Sequence, residues 1–162
     1  MNVLEEILSL LNQKKVEYQH LTHDHVHTSE DAAKIRGNSL SQAAKAIILK
    51  TKAKGEYRFI QVVLQGDKKI DLKTLRKHIG ARSINLATPN EVLKITSCTI
   101  GSVPPFGILF DIDVYVDESL FDEEYIFFSA GTHNDSIKLK SNDYLTVVSP
   151  ISLRFSVSKD AS

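Results

Sequence analysis

The chain has 162 residues, 42% of them apolar and 25% charged, with one cysteine and a formal net charge of zero. That length predicts one domain over residues 1–162, and charge neutrality excludes a broad phosphate-gripping surface of the kind that makes nucleic-acid binders basic. No apolar run is long enough to cross a bilayer and no signal-peptide pattern opens the chain, while the lone Cys98 excludes an internal disulfide, so a cytoplasmic protein with no membrane partner is expected.

In chain order, Leu4, Ile7, Leu8 and Leu11 recur at helical spacing and predict an amphipathic helix over residues 3–15. "VEYQHLTH" alternates and predicts a strand. "TSEDAAKIRG" offers a cap at Thr28 or Ser29, acids in its first turn and Gly37 at its end, which predicts a short helix. "KAIILKTK" and "YRFIQVVLQ" predict strands joined by a turn near Gly55. "DLKTLRKHIG" predicts a helix capped by Asp71 and stopped by Gly80, and Thr88, Pro89 and Glu91 form a capping box with the favoured proline for a helix in "TPNEVLKIT". The run "ILFDIDVYV" predicts a strand with Asp111 and Asp113 on a wet face. "YIFFSAG" and "SIKLK" predict strands, "SNDYLTVV" a short helix, and "ISLRFSV" a last strand. The pattern predicts an α+β fold: a curved mixed β-sheet or partly closed barrel with short flanking helices.

Charge is unevenly spread, with 15 Lys/Arg against 9 Asp/Glu in residues 1–82 and 5 against 11 in residues 83–162. The halves can pair with one another, and any contact with nucleic acid is expected to be small and local. Between two apolar stretches stands "GSVPPFG", residues 101–107. Two glycines and two prolines exclude helix and central strand, leaving either a tight connection or a rigid rim whose bare backbone meets a ligand. Lys45, at the entry of an apolar strand, is either a snorkelling edge residue or an anchor for a phosphate or carboxylate. Ser129, Ala130 and Gly131 end a strand with small residues, and His133, Asn134 and Asp135 follow, which suits a hairpin turn or a polar site. His23, His25 and His27 alternate, so a metal site competes with a solvated connection, and the expectation is no metal. Cys98 reads as core filling in preference to a nucleophile. No phosphate-binding or dinucleotide glycine pattern and no hydrolase Gly-x-Ser-x-Gly elbow is present, and no cofactor is expected.

Lys45 in "AAKAIIL", Gly101 and Pro105 in "GSVPPFG", and "SAGTHNDSIKLKSNDYL" together resemble the YbaK/ProX family of aminoacyl-tRNA editing domains, over roughly residues 3–155. The resemblance implies hydrolysis of the ester joining a wrongly attached amino acid to the terminal ribose of tRNA, without a side-chain nucleophile. Gly101 would position water or the carbonyl through its backbone, and the Ser102 and Val103 amides would face the oxyanion. Lys45 would hold the acceptor end, with Lys50, Lys52, Lys54 and Arg58 near other phosphates. Tyr18, Ser129 and Gly131 would shape the pocket beside Pro105, with His133 and Asp135 gripping the amino group or relaying a proton. The partners implied are the aminoacyl-tRNA acceptor end and a prolyl-tRNA synthetase, with tRNA(Pro) carrying Cys, Ala or Ser as the substrate. Ala46 replaces the asparagine that follows the lysine in the alanine-specific branch, and "AGTHNDSI" departs from the turn of the cysteine-specific branch. A non-catalytic module of the same fold, holding a tRNA end or a partner, is the alternative.

Overall fold

The computed structural model describes residues 2–26 and 28–159. Its elements run α1 (Val3–Gln13), β1 (Tyr18–Thr22), α2 (Ser29–Arg36), β2 (Ala44–Ala53), β3 (Glu56–Gln65), β4 (Lys68–Ile70), α3 (Leu72–Ile79), β5 (Ser83–Leu86), α4 (Pro89–Thr96), β6 (Asp113–Asp117), β7 (Tyr125–Ser129), β8 (Asp135–Lys140), α5 (Ser141–Val148), β9 (Ile151–Leu153) and β10 (Ser156–Ser158), with 3-10 turns at Leu40–Gln42, Gly107–Phe110 and Glu118–Asp122. Local chemistry sets the helix ends. The side chains of Asn2, Thr28 and Asp71 accept the amides of Glu5, Asp31 and Thr74 at 3.1, 3.0 and 3.1 Å. Thr88 and Glu91 complete the capping box, and Gly37 and Gly80 close α2 and α3 in the left-handed region at φ 77° and 76°.

A five-stranded mixed sheet, ordered β5-β2-β3-β6-β9, carries the molecule. β2 pairs antiparallel with β3 and β5, whereas β3–β6 and β6–β9 are parallel. An antiparallel sheet β1-β8-β7 lies beside it, linked by a bridge between Ala43 and Phe127, and β10 pairs with β4. This is the expected α+β class with short flanking helices, and none of the three sheets closes on itself. From Ile60 to Gln65 β3 is buried on both faces, as the middle of such a sheet must be. Ile60, Val62 and Leu64 meet Leu75 and Phe155 in one core, while Val63 faces a larger core with Ile7, Phe106 and Phe128. No helix among the described residues is long and apolar enough to cross a membrane.

Two expected strands are corrected. Residues 108–116 do not form one strand: the segment opens as a 3-10 turn, Asp111 adopts φ 57°, and the strand begins at Asp113. Gly107 permits the fold-back, since a Cβ there would lie 2.8 Å from Val114 Cγ2. "ISLRFSV" divides into β9 and β10, because the Asp117 carboxylate, 1% exposed, accepts the amides of Phe155 and Ser156 at 2.7 and 2.8 Å and draws the chain out of the first sheet. β4, β5 and the 3-10 turns are additions to the expected elements.

Burial raises the Asp117 pKa, but its bonds to Ser119, Phe155 and Ser156 outweigh it and the net shift is downward. A carboxyl held lower when folded contributes stability above its unfolded pKa, and that contribution disappears as pH falls through the folded value. Asp117→Ala should therefore cost about 3 kcal/mol at neutral pH, since charged hydrogen bonds contribute about 1.5–3 kcal/mol each. Urea unfolding at pH 7 and again below pH 4 should show the deficit shrinking in acid.

Candidate active site

The segment 101–107 is a loop of fixed shape, for reasons visible atom by atom. The Ser102 amide donates to the Thr99 carbonyl at 3.0 Å and closes a four-residue turn whose third position is Gly101, at φ 91°. A type II turn needs that conformation, and glycine adopts it without strain. Further along, Gln61 reaches across from β3. Its Nε2 donates to the Pro104 carbonyl at 2.9 Å, and its Oε1 accepts the Gly107 amide at 2.8 Å. From the other side the buried Tyr144 hydroxyl, on α5, donates to the Pro105 carbonyl at 2.7 Å. Prolines 104 and 105 are thus buried anchors, and only Gly101 of this segment is exposed.

The turn forms one wall of a cavity of about 80 Å³. A single water needs roughly 10–15 Å³ of such volume, so the cavity can hold water or a small group. Lys45, Gly101, Val103 and Ser129 all line it, so the structure brings these four expected residues together. Among the described residues, no acceptor takes the amides of Gly101 or Val103, and no partner takes the hydroxyls of Ser29 or Ser129, which also face the cavity. Lys45 Nζ donates to the Lys68 carbonyl. Burial, and then the charge of Lys159, push its pKa below the ordinary lysine value.

The other expected residues lie around the cavity or away from it. Ser102 is buried, its hydroxyl donates to the Thr99 carbonyl at 2.8 Å, and its amide is used by the turn, which leaves it no free donor for an oxyanion. Gly131, at φ 96°, does not leave space for a ligand. A Cβ there would sit 3.1 Å from Val3 Cβ, and its amide holds the Ser102 carbonyl at 2.9 Å. His133 braces two walls. Its Nδ1 donates to the Val26 carbonyl at 2.8 Å, so in the neutral ring Nε2 accepts the Thr99 hydroxyl at 2.7 Å. Asp135 accepts from His20 Nε2 at 2.7 Å and from the Thr132 hydroxyl at 2.6 Å. Burial raises its pKa, yet the bonds to Thr132 and His20 hold it below the usual aspartate value. It fastens the 132–135 turn and does not line the cavity. Tyr18 lies elsewhere: its hydroxyl donates to Asn12 at 3.0 Å, and it lines a separate surface pocket with Tyr125 and Lys138. β1 pairs with β8, and that register carries Tyr18 to Leu139, away from the 132–135 turn.

Arg36 also lines the cavity and was not expected there from the sequence, nor were Thr28 and Ser29 beyond their place at the start of α2. Ser29, Ala32 and Arg36 lie on one face of α2 at i, i+3 and i+7, a spacing readable in the sequence once Ala32 is known to face inward. The half-buried guanidinium has no carboxylate partner among the described residues, and burial pushes its pKa down to about 10. It donates to Asn38 Oδ1 at 3.0 Å and to Ser136 Oγ at 3.3 Å. Ser136 also meets His23 Nε2 at 2.8 Å, while His23 Nδ1 donates to the Asp24 carbonyl at 2.8 Å. His25 stacks on His133 with centroids 4.5 Å apart, and His27 lies outside the described residues. Among the described residues, no group of three or more His, Cys, Asp or Glu is placed to hold a metal. Cys98 is 2% exposed, its thiol donates to the Thr96 carbonyl at 3.4 Å, and burial pushes its pKa up, so it stays a thiol in the core.

The arrangement can hold an anion between two cations and offer bare amides to a small group beside them. A family model described as an aminoacyl-tRNA editing domain matches residues 23–147. The "Multifunctional Ser/Thr-tRNA deacylase ProXp-y" of Escherichia coli (strain K12) is 34% identical over 152 residues, covering 93% of this chain and 91% of that protein. The "Prolyl-tRNA editing protein ProX" of Acetoanaerobium sticklandii is 29% identical, covering 91% and 92%. The solved structure of hypothetical protein APE2540 superposes with a TM-score of 0.84 at 22% identity, over 94% of this chain and 99% of that one.

The two-ended grip of Gln61 is open to test. Gln61→Leu leaves the Pro104 carbonyl and the Gly107 amide unpaired inside the core. It should lower stability by about 3 kcal/mol, at about 1–3 kcal/mol per stranded group, and denaturant unfolding reads the loss directly.

Proposed function

The chain belongs to the aminoacyl-tRNA editing domain family, and from that premise we propose that it is a deacylase that hydrolyses seryl and threonyl esters of a mischarged tRNA, tRNA(Pro) first among them. The observation that carries this reading is the meeting of Lys45 with the bare backbone of Gly101 and Val103 around one small cavity. Its size suits a small aminoacyl group. The unclaimed hydroxyls of Ser29 and Ser129 suit a hydroxylated side chain, which a polar site can select far more sharply than an apolar pocket separates substrates differing by one methylene. The 34% identical relative named for Ser and Thr supports the choice of amino acid, and the one named for prolyl-tRNA editing supports the choice of tRNA.

In this reading Lys45 and Arg36 hold the terminal phosphate and ribose. The ester carbonyl lies against the turn, and the amides of Gly101 and Val103 donate to its oxygen as charge develops there. Water attacks the carbonyl carbon, the bond from that carbon to the ribose oxygen breaks, and the ribose hydroxyl leaves with a proton. Free amino acid and tRNA are the products. Amides fixed by a braced turn need little reorganisation during the reaction, which is the source of the acceleration.

Deacylation of Ser-, Thr-, Ala- and Cys-charged tRNA(Pro) tests the proposal. The first two should be released fastest, and no release from any of them overturns it. Lys45→Ala should lower kcat/KM by about 100-fold. Arg36→Ala should raise KM by about 10-fold, the effect of losing a charge-assisted contact. Cys98→Ala should retain the wild-type rate, since the thiol is closed off from the cavity.

A further inference from the structure

A second cavity, of about 240 Å³, lies on the other side of Gly101. Ile47, Ile48, Leu86, Val92 and Ile100 make it apolar, and it shares Ala46, Gly101 and Val103 with the first cavity. Two of its large side chains stand in water, Leu86 at 65% exposure and Ile100 at 55%. Single exposed apolar residues are ordinary, but two around a formed groove that adjoins a polar site suggest an occupant.

Chemistry further along β2 says what kind of occupant. Alternation places Ala46, Ile48, Lys50 and Lys52 on one face of the strand. The path from cavity to basic end is thus six residues, about 20 Å at roughly 3.3 Å per residue. Lys50 Nζ lies 4.8 Å from the ring centroid of Tyr57, and Lys52 Nζ lies 5.2 Å from it. Tyr57 is 62% exposed. Lys50 also meets Glu91 at 3.0 Å, next to Val92 of the groove, whereas no carboxylate pairs with Lys52 among the described residues. An apolar slot leading to half-buried cations and an exposed ring matches a flat base followed by phosphates, the pattern of single-stranded nucleic acid. It does not match an apolar peptide, which would leave Lys52 without counter-charge.

We propose that this groove seats the purine base of the terminal nucleotide, so that aminoacyl group and base lie on opposite sides of Gly101, with the preceding phosphates passing Lys52 and the preceding base on Tyr57. The inference deepens the deacylase reading and rests on it. Gly101 then has a second task. A side chain at that position would stand in the ribose's path between the two cavities, in addition to straining the turn.

Competition during deacylation of seryl-tRNA(Pro) tests it, with AMP and UMP as probes. AMP should inhibit with a Ki about 10-fold below that of UMP, reflecting the better stacking of a purine. Leu86→Asp and Ile100→Asp, both at exposed positions, should erase that difference and raise KM for the tRNA. Circular dichroism verifies that each variant is folded. Equal inhibition by AMP and UMP, inhibition by neither, or a purine preference that survives both substitutions overturns the inference while deacylation itself stands. Absence of deacylation by the wild-type protein removes the reading and the inference together.

Discussion

One buried side chain holds the candidate site in place. Gln61 sits at 0% exposure on the middle strand of the five-stranded sheet and binds both ends of the Pro104–Gly107 stretch. An amide group suits the task because it carries a donor and an acceptor on one rigid plane. Tyr144 holds the next carbonyl from the opposite side, Gly131 holds Ser102, and His133 holds Thr99. Three separate parts of the chain, β3, α5 and the turn after β7, thereby converge on the 99–107 segment. A backbone so restrained can present amides to a ligand, because little cheap motion is left to it. Prolines alone would set local torsions, but they would not fix where the loop stands relative to Lys45.

The second constraint is electrostatic. A chain with no net charge still builds a locally cationic cavity, since Lys45 and Arg36 line it and, among the described residues, no carboxylate does. Partial burial disfavours both cations, and for the same reason an arriving anion gains more from them than it would from exposed lysines. Lys54 and Arg58, farther along the same hairpin, are exposed, so salt screens their attraction for any anion.

Much of this was legible in the sequence, and the limits have physical causes. Helix ends follow from caps a few residues long, so Thr28, Asp71, Thr88, Gly37 and Gly80 announce them. Lys45, Gly101, Val103 and Ser129 meet at one cavity as the motif resemblance implied they would. What escaped depends on pairing between distant segments. Alternation fixes the face on which Tyr18 lies but not that its strand pairs with β8, and that pairing decides its neighbours. Gly131 looked like spare room, yet α1 fills that room with Val3. "ISLRFSV" has a strand's composition throughout, and only a carboxylate 38 residues away breaks it in two. Arg36 escaped because a lone arginine at a helix end ordinarily points to water.

The parallel pairing of β6 with β9 also governs how the molecule assembles. β6 is flanked on one side by a strand that precedes it by about fifty residues and on the other by one that follows it by more than thirty. Until β9 and the stretch around Phe155 are available, β6 has an open edge and Asp117 lacks the two amides of Phe155 and Ser156. Parallel pairings between segments so far apart slow folding in general, and an edge left unpaired in the meantime is a site of misassociation.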